Sequence, residues 1–416
     1  MEIFGSAVAV ILLWKRYTDQ QRGSHEKSLV YLSDKCDPGL RGTALRLLKE
    51  TDYKPPLYLP FEIHGQLQTC MQYSVRNISR VCMQLFRMRD LVVFDRELLT
   101  LSDGGTIALD WGSHFHADQC APLTASSPVV ILFHGLVGDS QSEYIFHMSG
   151  QLLKRGYRVV AVVARGCGGL SLTTGRVFAG RRTSDVASAI HTVADRYPSA
   201  KLFGVGFSLG ASLVLQYLSE EHRPHENGSS FAGMSHAEAH SPLTAAVVVS
   251  PPWDLCTNSL EPALVSRLWS LLLVVPIKLH LLLHHQYLLA SSPELYGKIS
   301  LYSLMACFTL TQVETLCYSC YYRASGGSYE SVEAYYNDIS PVHSAHFIHT
   351  PTVCLTSMDD PICMHSHCPT APSDIGPGLV VVKTPWGGHL AYPEGPFPLT
   401  TAWTDRIVAA WFENFL

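Results

Sequence analysis

Gly206-Phe207-Ser208-Leu209-Gly210 is the stretch of this sequence best suited to chemistry. The spacing G-x-S-x-G places a serine between two glycines. An apolar run, residues 201–207, precedes it and a helix-like run, residues 211–219, follows. A sharp strand-to-helix turn forces the serine into a strained backbone conformation, and glycines let the two arms of the turn approach closely. Ser208 then presents its hydroxyl at the head of a helix. The backbone N–H of Leu209 is left free to stabilise an oxyanion.

A serine hydroxyl is a weak nucleophile at its own pKa. It needs a base, and the base needs an orienting acid. Downstream of Ser208 stand Met358-Asp359-Asp360-Pro361 and then Gly387-Gly388-His389-Leu390. Both follow late apolar strands, so their side chains reach the carboxyl edge of a sheet. The reading is Ser208 as nucleophile, His389 as base on a mobile turn, and Asp360 as acid, with Asp359 making turn hydrogen bonds. The second oxyanion donor should come from the loop His134-Gly135-Leu136-Val137-Gly138, and is assigned to the N–H of Leu136.

Other clusters read as structural. His134 through Asp139 spells H-x-x-x-x-D, an acyltransferase-like spacing that is incidental on such a loop. Arg165-Gly166-Cys167-Gly168-Gly169 lacks the Lys-Ser/Thr of a phosphate loop and reads as a tight turn shaping the pocket. His365-x-His367-Cys368 lies in a Pro/Ser-rich loop without further ligands, and Cys317-x-x-Cys320 lies in an aromatic stretch without a second pair. No metal and no organic cofactor is expected.

The elements that must position these residues show a clear rhythm. Residues 91–94 and 98–101, the turn Asp103-Gly104-Gly105 and residues 106–111 signal a hairpin. Residues 128–133, 158–163, 201–207, 245–250, 352–356 and 379–383 are strand-like, the first of them a continuous apolar run of a strand buried on both faces. Helical stretches at 143–154 and 184–196 fall between them, and the chain closes with a helix at about 400–415. Such alternation specifies a mostly parallel sheet with crossover helices. The rhythm breaks at Pro251. Residues 252–340, rich in Leu, Tyr and His, are expected to form a helical cap. Within it, residues 268–289 look membrane-like, but Pro276, Lys278, His280, His284 and His285 interrupt the run. No convergent charged cluster is evident in the cap, so charged or sugar esters are expected to be poor substrates.

The chain has 416 residues, 47% of them hydrophobic and 16% charged, with a net charge of −5. It has no Lys/Arg block, which argues against nucleic acid as a partner. The low charge suits a lipid substrate or a membrane contact. The twelve cysteines are scattered and read mostly as buried thiols rather than as a disulfide framework. Residues 3–14 form an apolar run followed by Lys15 and Arg16. It is shorter than the about 20 residues of a full span, and no cleavage site follows. It is expected to be an uncleaved anchor within residues 1–20, giving a single-pass protein of the endoplasmic reticulum or plasma membrane. Lys15 and Arg16 favour a cytosolic catalytic domain, whereas the sequons Asn77-Ile78-Ser79 and Asn227-Gly228-Ser229 point the other way, and the orientation stays open. Residues 21–90 show no periodicity and read as a linker and N-terminal extension. Residues 91–416 form the catalytic domain, with the stretch 224–241 an exposed insertion.

The combination resembles the YheT-like group of α/β-hydrolase-domain proteins, which includes animal membrane-anchored lipases and plant embryogenesis-associated proteins. The matching residues are His134-Gly135-Leu136-x-Gly138-x-Ser140, Arg165-Gly166-Cys167-Gly168-Gly169, Gly206-Phe207-Ser208-Leu209-Gly210-Ala211, Tyr335-Tyr336-x-x-x-Ser340, Asp359-Asp360-Pro361 and Gly387-Gly388-His389-Leu390. The resemblance implies an α/β-hydrolase fold with a helical cap, a short N-terminal anchor, and hydrolysis of acylglycerols, phospholipids or short-chain esters without metal or cofactor. By position, Ser208, Asp360 and His389 match its triad. The expected function is a serine carboxylester hydrolase acting on lipid esters. The rivals are an acyltransferase using the same acyl-enzyme and a non-catalytic lipid- or steroid-binding protein.

Overall fold

The structure, a computed structural model, describes residues 28–50, 53, 64–71, 74, 77–86, 92–114, 122–181, 183–223, 240–258, 264–291, 293–297, 299–316, 329, 331–394 and 402–416. The expected anchor, the sequon at Asn227, most of the 224–241 insertion and the Cys317/Cys320 pair lie outside these residues.

Nine strands form one sheet: β1 (Leu29–Leu32), β2 (Val92–Thr100), β3 (Thr106–His114), β4 (Val129–Phe133), β5 (Arg158–Val163), β6 (Leu202–Phe207), β7 (Leu243–Val249), β8 (Thr352–Ser357) and β9 (Leu379–Thr384). Their order is β1-β9-β8-β7-β6-β4-β5-β3-β2. From β9 to β5 the pairing is parallel, and β1, β2 and β3 add antiparallel edges. This is the mostly parallel sheet expected from the apolar runs. One difference is local: residues 92–100 form a single strand paired with β3 along its whole length, where the sequence suggests two short runs. The intervening Asp95, Arg96 and Glu97 lie toward solvent on an edge strand, which tolerates charge.

The alternation of side chains along each strand divides the core into two layers. Val130, Leu132, Phe203, Val205 and Phe207 pack with helices α1 (Pro38–Glu50), α4 (Glu143–Lys154) and α9 (Trp403–Glu413) on one face. Val129, Ile131, Phe133, Val160 and Val162 pack with α5 (Thr183–Arg196) and α6 (Leu209–Glu220) on the other. Both faces of the central strands are thus buried, which is why they read as unbroken Val/Ile/Leu runs.

The stretch read as a linker carries structure where it is described. β1 pairs antiparallel with β9, from Leu29↔Lys383 to Leu32↔Val380. Helices α1, α2 (His64–Met71) and α3 (Asn77–Phe86) follow. Tyr53 is buried against Tyr392 and Trp403, and its hydroxyl donates to the Pro393 carbonyl at 3.3 Å.

Above the sheet, α7 (Leu264–Ser291) runs for 28 residues, followed by short helices at Pro293–Tyr296 and Leu301–Met305 and by α8 (Val332–Ile339). Pro276 lies inside α7, where it removes one internal hydrogen bond without ending the helix. Trp269–Ser291 is long and apolar enough to cross a membrane. Its inner side is engaged by protein: Val274, Ile277 and Leu281 pack in a cluster with Leu172 and Val177, and Lys278 donates to the Met305 carbonyl at 2.9 Å. Its outer side exposes Leu272, Val275, Leu279 and Leu283.

Candidate active site

Ser208 sits between the end of β6 and the first residue of α6 with φ +51° and ψ −119°. A non-glycine residue in that region stores about 1–3 kcal/mol of strain. The flanking glycines explain how the turn closes. A Cβ on Gly206 would lie 2.6 Å from Ala211 Cα, and one on Gly210 would lie 2.4 Å from the His134 carbonyl oxygen. The turn is held from behind by the Ser208 N–H, which donates to the Val249 carbonyl at 2.9 Å.

The two late loops meet this serine. His389 Nε2 lies 3.0 Å from Ser208 Oγ, and His389 Nδ1 lies 2.9 Å from Asp360 Oδ2. Asp360 Oδ1 accepts from the N–H groups of Ile362 and Cys363, both at 2.8 Å, so the carboxylate is aimed rather than free to rotate. Asp359 plays the other part expected of it. Its Oδ1 accepts from the Gly388 N–H at 2.8 Å and from the Ser357 hydroxyl, joining the acid loop to the histidine loop. The structure therefore brings Ser208, His389 and Asp360 together in series.

The histidine turn is pinned where the sequence suggests a mobile one. His389 is buried, and its N–H donates to Thr69 Oγ1 at 2.8 Å. Thr69 in turn donates to the Gly65 carbonyl at 2.7 Å. Gly65 packs so closely that a Cβ there would fall 1.8 Å from the Asp359 carbonyl oxygen. Helix α2 thus clamps both late loops with residues at i and i+4 of one face. Sequence reasoning missed this clamp, because the only local signal is a glycine and a threonine four apart. Thr69→Val is expected to lower kcat by about ten-fold through loss of one hydrogen bond that positions His389, with KM little changed and Thr69→Ser restoring activity. Steady-state kinetics of both variants check this; an unaltered Thr69→Val enzyme would remove the clamp from the account.

On the opposite side, Leu209 opens α6, where its N–H has no intrahelical acceptor. Leu136 lies in the loop after β4, and both leucines line one pocket. This loop is stiffened by several contacts. Tyr144 hydroxyl accepts from the Gly135 N–H at 2.9 Å, Val137 adopts φ +50°, and Ser140 donates to Asp110 at 2.6 Å. His134 is part of this scaffold. Its Nδ1 lies 2.6 Å from the Gly135 carbonyl and its Nε2 accepts from the Ala164 N–H at 3.1 Å, which fixes the Nδ1–H tautomer. Burial pushes its pKa down. With both nitrogens engaged, His134 is not placed to act as a base, so the H-x-x-x-x-D spacing is incidental in three dimensions too.

The Arg165 turn shapes the pocket and binds no anion through its arginine. The guanidinium is buried between Asp185, at 2.7 Å, and Asp103, at 2.8 Å. Burial opposes ionisation of Asp103, but the Arg165 and Gly105 donors and the charges of Arg165 and Arg176 hold it at about 2. Gly166, at φ +69°, has the rings of His280 and His284 where a Cβ would go, each at 2.9 Å. His284 Nε2 also lies 2.8 Å from the Gly166 carbonyl. The turn is therefore the seat of the cap helix α7. Ser340 ties the far end of the cap down: it donates to the Tyr336 carbonyl at 2.6 Å and accepts from the Leu255 N–H at 2.9 Å.

Among the described residues, one group has metal-ligand geometry: Asp360, Cys363 and His389 have ligand atoms within 4.8 Å of one another. Asp360 and His389 already use these atoms on each other and on Ser208. Burial, reinforced by the Asp360 charge, holds the Cys363 thiol well above its usual range and so protonated. A protonated thiol is a poor ligand.

With this geometry in place, the comparisons with known proteins fall into line. A family model described as the alpha/beta hydrolase fold matches residues 128–253, from β4 through the serine turn to the residues after β7. Phospholipase ABHD3 of Homo sapiens is 27% identical over 318 residues, covering 76% of this chain and 71% of its own. The embryogenesis-associated protein EMB8 of Picea glauca is 26% identical over 355 residues, covering 81% and 70%. Monoacylglycerol lipase ABHD2 of Mus musculus is 25% identical over 319 residues, covering 75% and 71%. The fold is that of an α/β hydrolase. The chain is similar to the α/β-hydrolase-domain-containing proteins among these relatives.

Proposed function

We propose that the protein is a serine hydrolase of lipid carboxylic esters, with Ser208, His389 and Asp360 as its triad. The observation that carries this reading is His389, which bridges Asp360 and Ser208 at 2.9 and 3.0 Å with both ring nitrogens. Ser208 Oγ attacks the ester carbonyl as His389 Nε2 takes its proton. Asp360 holds the Nδ1–H tautomer and stabilises the imidazolium. The backbone N–H groups of Leu209 and Leu136 receive the developing oxyanion, an effect of about 3–4 kcal/mol per donor in comparable sites. The proton on Nε2 passes to the leaving alcohol oxygen, and an acyl ester remains on Ser208. Water, deprotonated by His389, then releases the acid and restores the serine.

The wall above the serine supports this substrate class. Phe178, Ile277, Val313, Tyr335 and Ile339 surround a cleft beside Leu136 and Leu209. Relatives named as a phospholipase and a monoacylglycerol lipase favour the same class. Each buried acyl methylene contributes about 0.8 kcal/mol. For a series of saturated p-nitrophenyl esters, kcat/KM is therefore expected to rise with acyl length by roughly three- to four-fold per methylene until the cleft is full. Preference for acetate over every longer chain would remove lipids from the reading and leave the ester chemistry standing.

A further inference from the structure

Besides the Tyr335 hydroxyl, two polar groups interrupt the apolar wall of the substrate cleft. His280 comes from the long cap helix, and Glu314 follows Val313 in the next segment of the cap; both line the cleft together with Leu136 and Leu209. The sequence shows no such convergence, because the two residues are 34 positions apart and only the fold brings them to one cavity.

His280 keeps unused hydrogen-bonding capacity inside the protein, and desolvation is the one influence on the Glu314 carboxyl. His280 is 6% exposed, and its Nε2 is buried without a partner. Its neighbour His284, edge-on at 4.9 Å between ring centroids, is engaged with the Gly166 carbonyl. Burial, with the nearby His284, pushes the His280 pKa down to about 4, so the ring is neutral near pH 7 and its Nε2 donates or accepts according to the tautomer. The Glu314 side chain is half-buried, and desolvation pushes its carboxyl up to about 8. It is then mostly protonated and also offers a donor and an acceptor. Buried polar groups are retained where a partner satisfies them. A hydroxyl is the group that answers such a wall, since it donates and accepts at once. A phosphate is not: no lysine or arginine lines the cleft among the described residues to offset its charge.

We propose that His280 and Glu314 form a subsite for the free hydroxyls of the alcohol part of the ester, selecting neutral polyol esters of the monoacylglycerol type. The inference rests on the serine-hydrolase reading above. In it the acyl chain occupies the apolar part of the cleft. The glycerol-like part lies against the cap, which also accounts for two polar groups in an otherwise lipid-like cavity.

The test compares three substrates with the same acyl chain: a monoacylglycerol, a methyl ester and a lysophosphatidylcholine. Full-length wild type is measured beside Glu314→Leu, Glu314→Gln and His280→Phe. Wild type should prefer the monoacylglycerol to both others. In Glu314→Leu and His280→Phe that preference over the methyl ester should fall about ten- to a hundred-fold, with methyl ester turnover within about two-fold of wild type. Glu314→Gln should keep most of the preference, since an amide also donates and accepts. No preference in wild type, or losses shared equally by the two neutral esters in the variants, overturns the subsite. A preference for the lysophospholipid overturns it as well. Fluorophosphonate labelling of Ser208 in each sample separates the two levels. A labelled enzyme without hydroxyl selectivity removes the subsite alone, whereas wild type that does not label removes the hydrolase reading and the subsite with it. Should Glu314→Leu lose labelling through misfolding, His280→Phe and Glu314→Gln decide the outcome.

Discussion

Ser208→Ala is expected to lower kcat for an ester substrate by about 10⁶-fold, close to the effect of removing a whole triad in comparable enzymes. The reason lies in the turn. The strained φ of +51° at Ser208 directs its hydroxyl to His389 Nε2, so its deletion leaves the base with no nucleophile to activate. Binding should survive, because the cleft walls and the N–H groups of Leu136 and Leu209 are untouched. KM and the affinity for an unreactive substrate analogue should therefore change little. Alanine also fits the turn sterically, since it adds no atom beyond Cβ, so thermal unfolding should report an intact fold. Residual activity within about ten-fold of wild type would place the chemistry on another residue.

Asp360→Asn should cost about 10⁴-fold in kcat, on the precedent of triads in which the acid is replaced by its amide. An amide at this position can present its NH₂ to His389 Nδ1. That favours the wrong tautomer, with the proton on Nε2 pointing at Ser208, and removes the charge that stabilises the imidazolium. Asp359→Asn is the internal control. Its carboxylate accepts from the Gly388 N–H, while His389 Nδ1 faces Asp360, so its loss should be much smaller and expressed as stability. Measured kcat values and melting temperatures of both variants decide the assignment, and a larger kcat loss at Asp359 would exchange the two roles.

Much of this arrangement is legible in the sequence, and the reasons are physical. Strands buried on both faces have to be continuous apolar runs, so β4 and β5 stand out within one or two residues of their ends. The elbow is legible because its glycines are forced by backbone contacts at 2.4 to 2.6 Å. The order Ser, Asp, His can be read because each follows a recognisable strand. The clamp on His389 cannot be read in this way. Thr69 acts across 320 positions of sequence, from a short helix whose residues look unremarkable one by one. β1 is four residues long and too short to show a period, though it completes the sheet beside β9. The neutral role of His134 depends on two backbone partners, one of them thirty positions away, which no spacing rule encodes. His280 and Glu314 are hidden for the same reason: a polar residue in a helical cap looks like surface until the cavity it faces is known.

The central claim is that Ser208 is an activated nucleophile, and covalent labelling tests it most directly. The full-length protein is treated with a fluorophosphonate, digested, and the modified peptide mapped by mass spectrometry. The account predicts one stoichiometric adduct on Ser208, absent from Ser208→Ala and formed far more slowly in His389→Ala. An adduct on a different residue, or labelling that persists in Ser208→Ala, would contradict it.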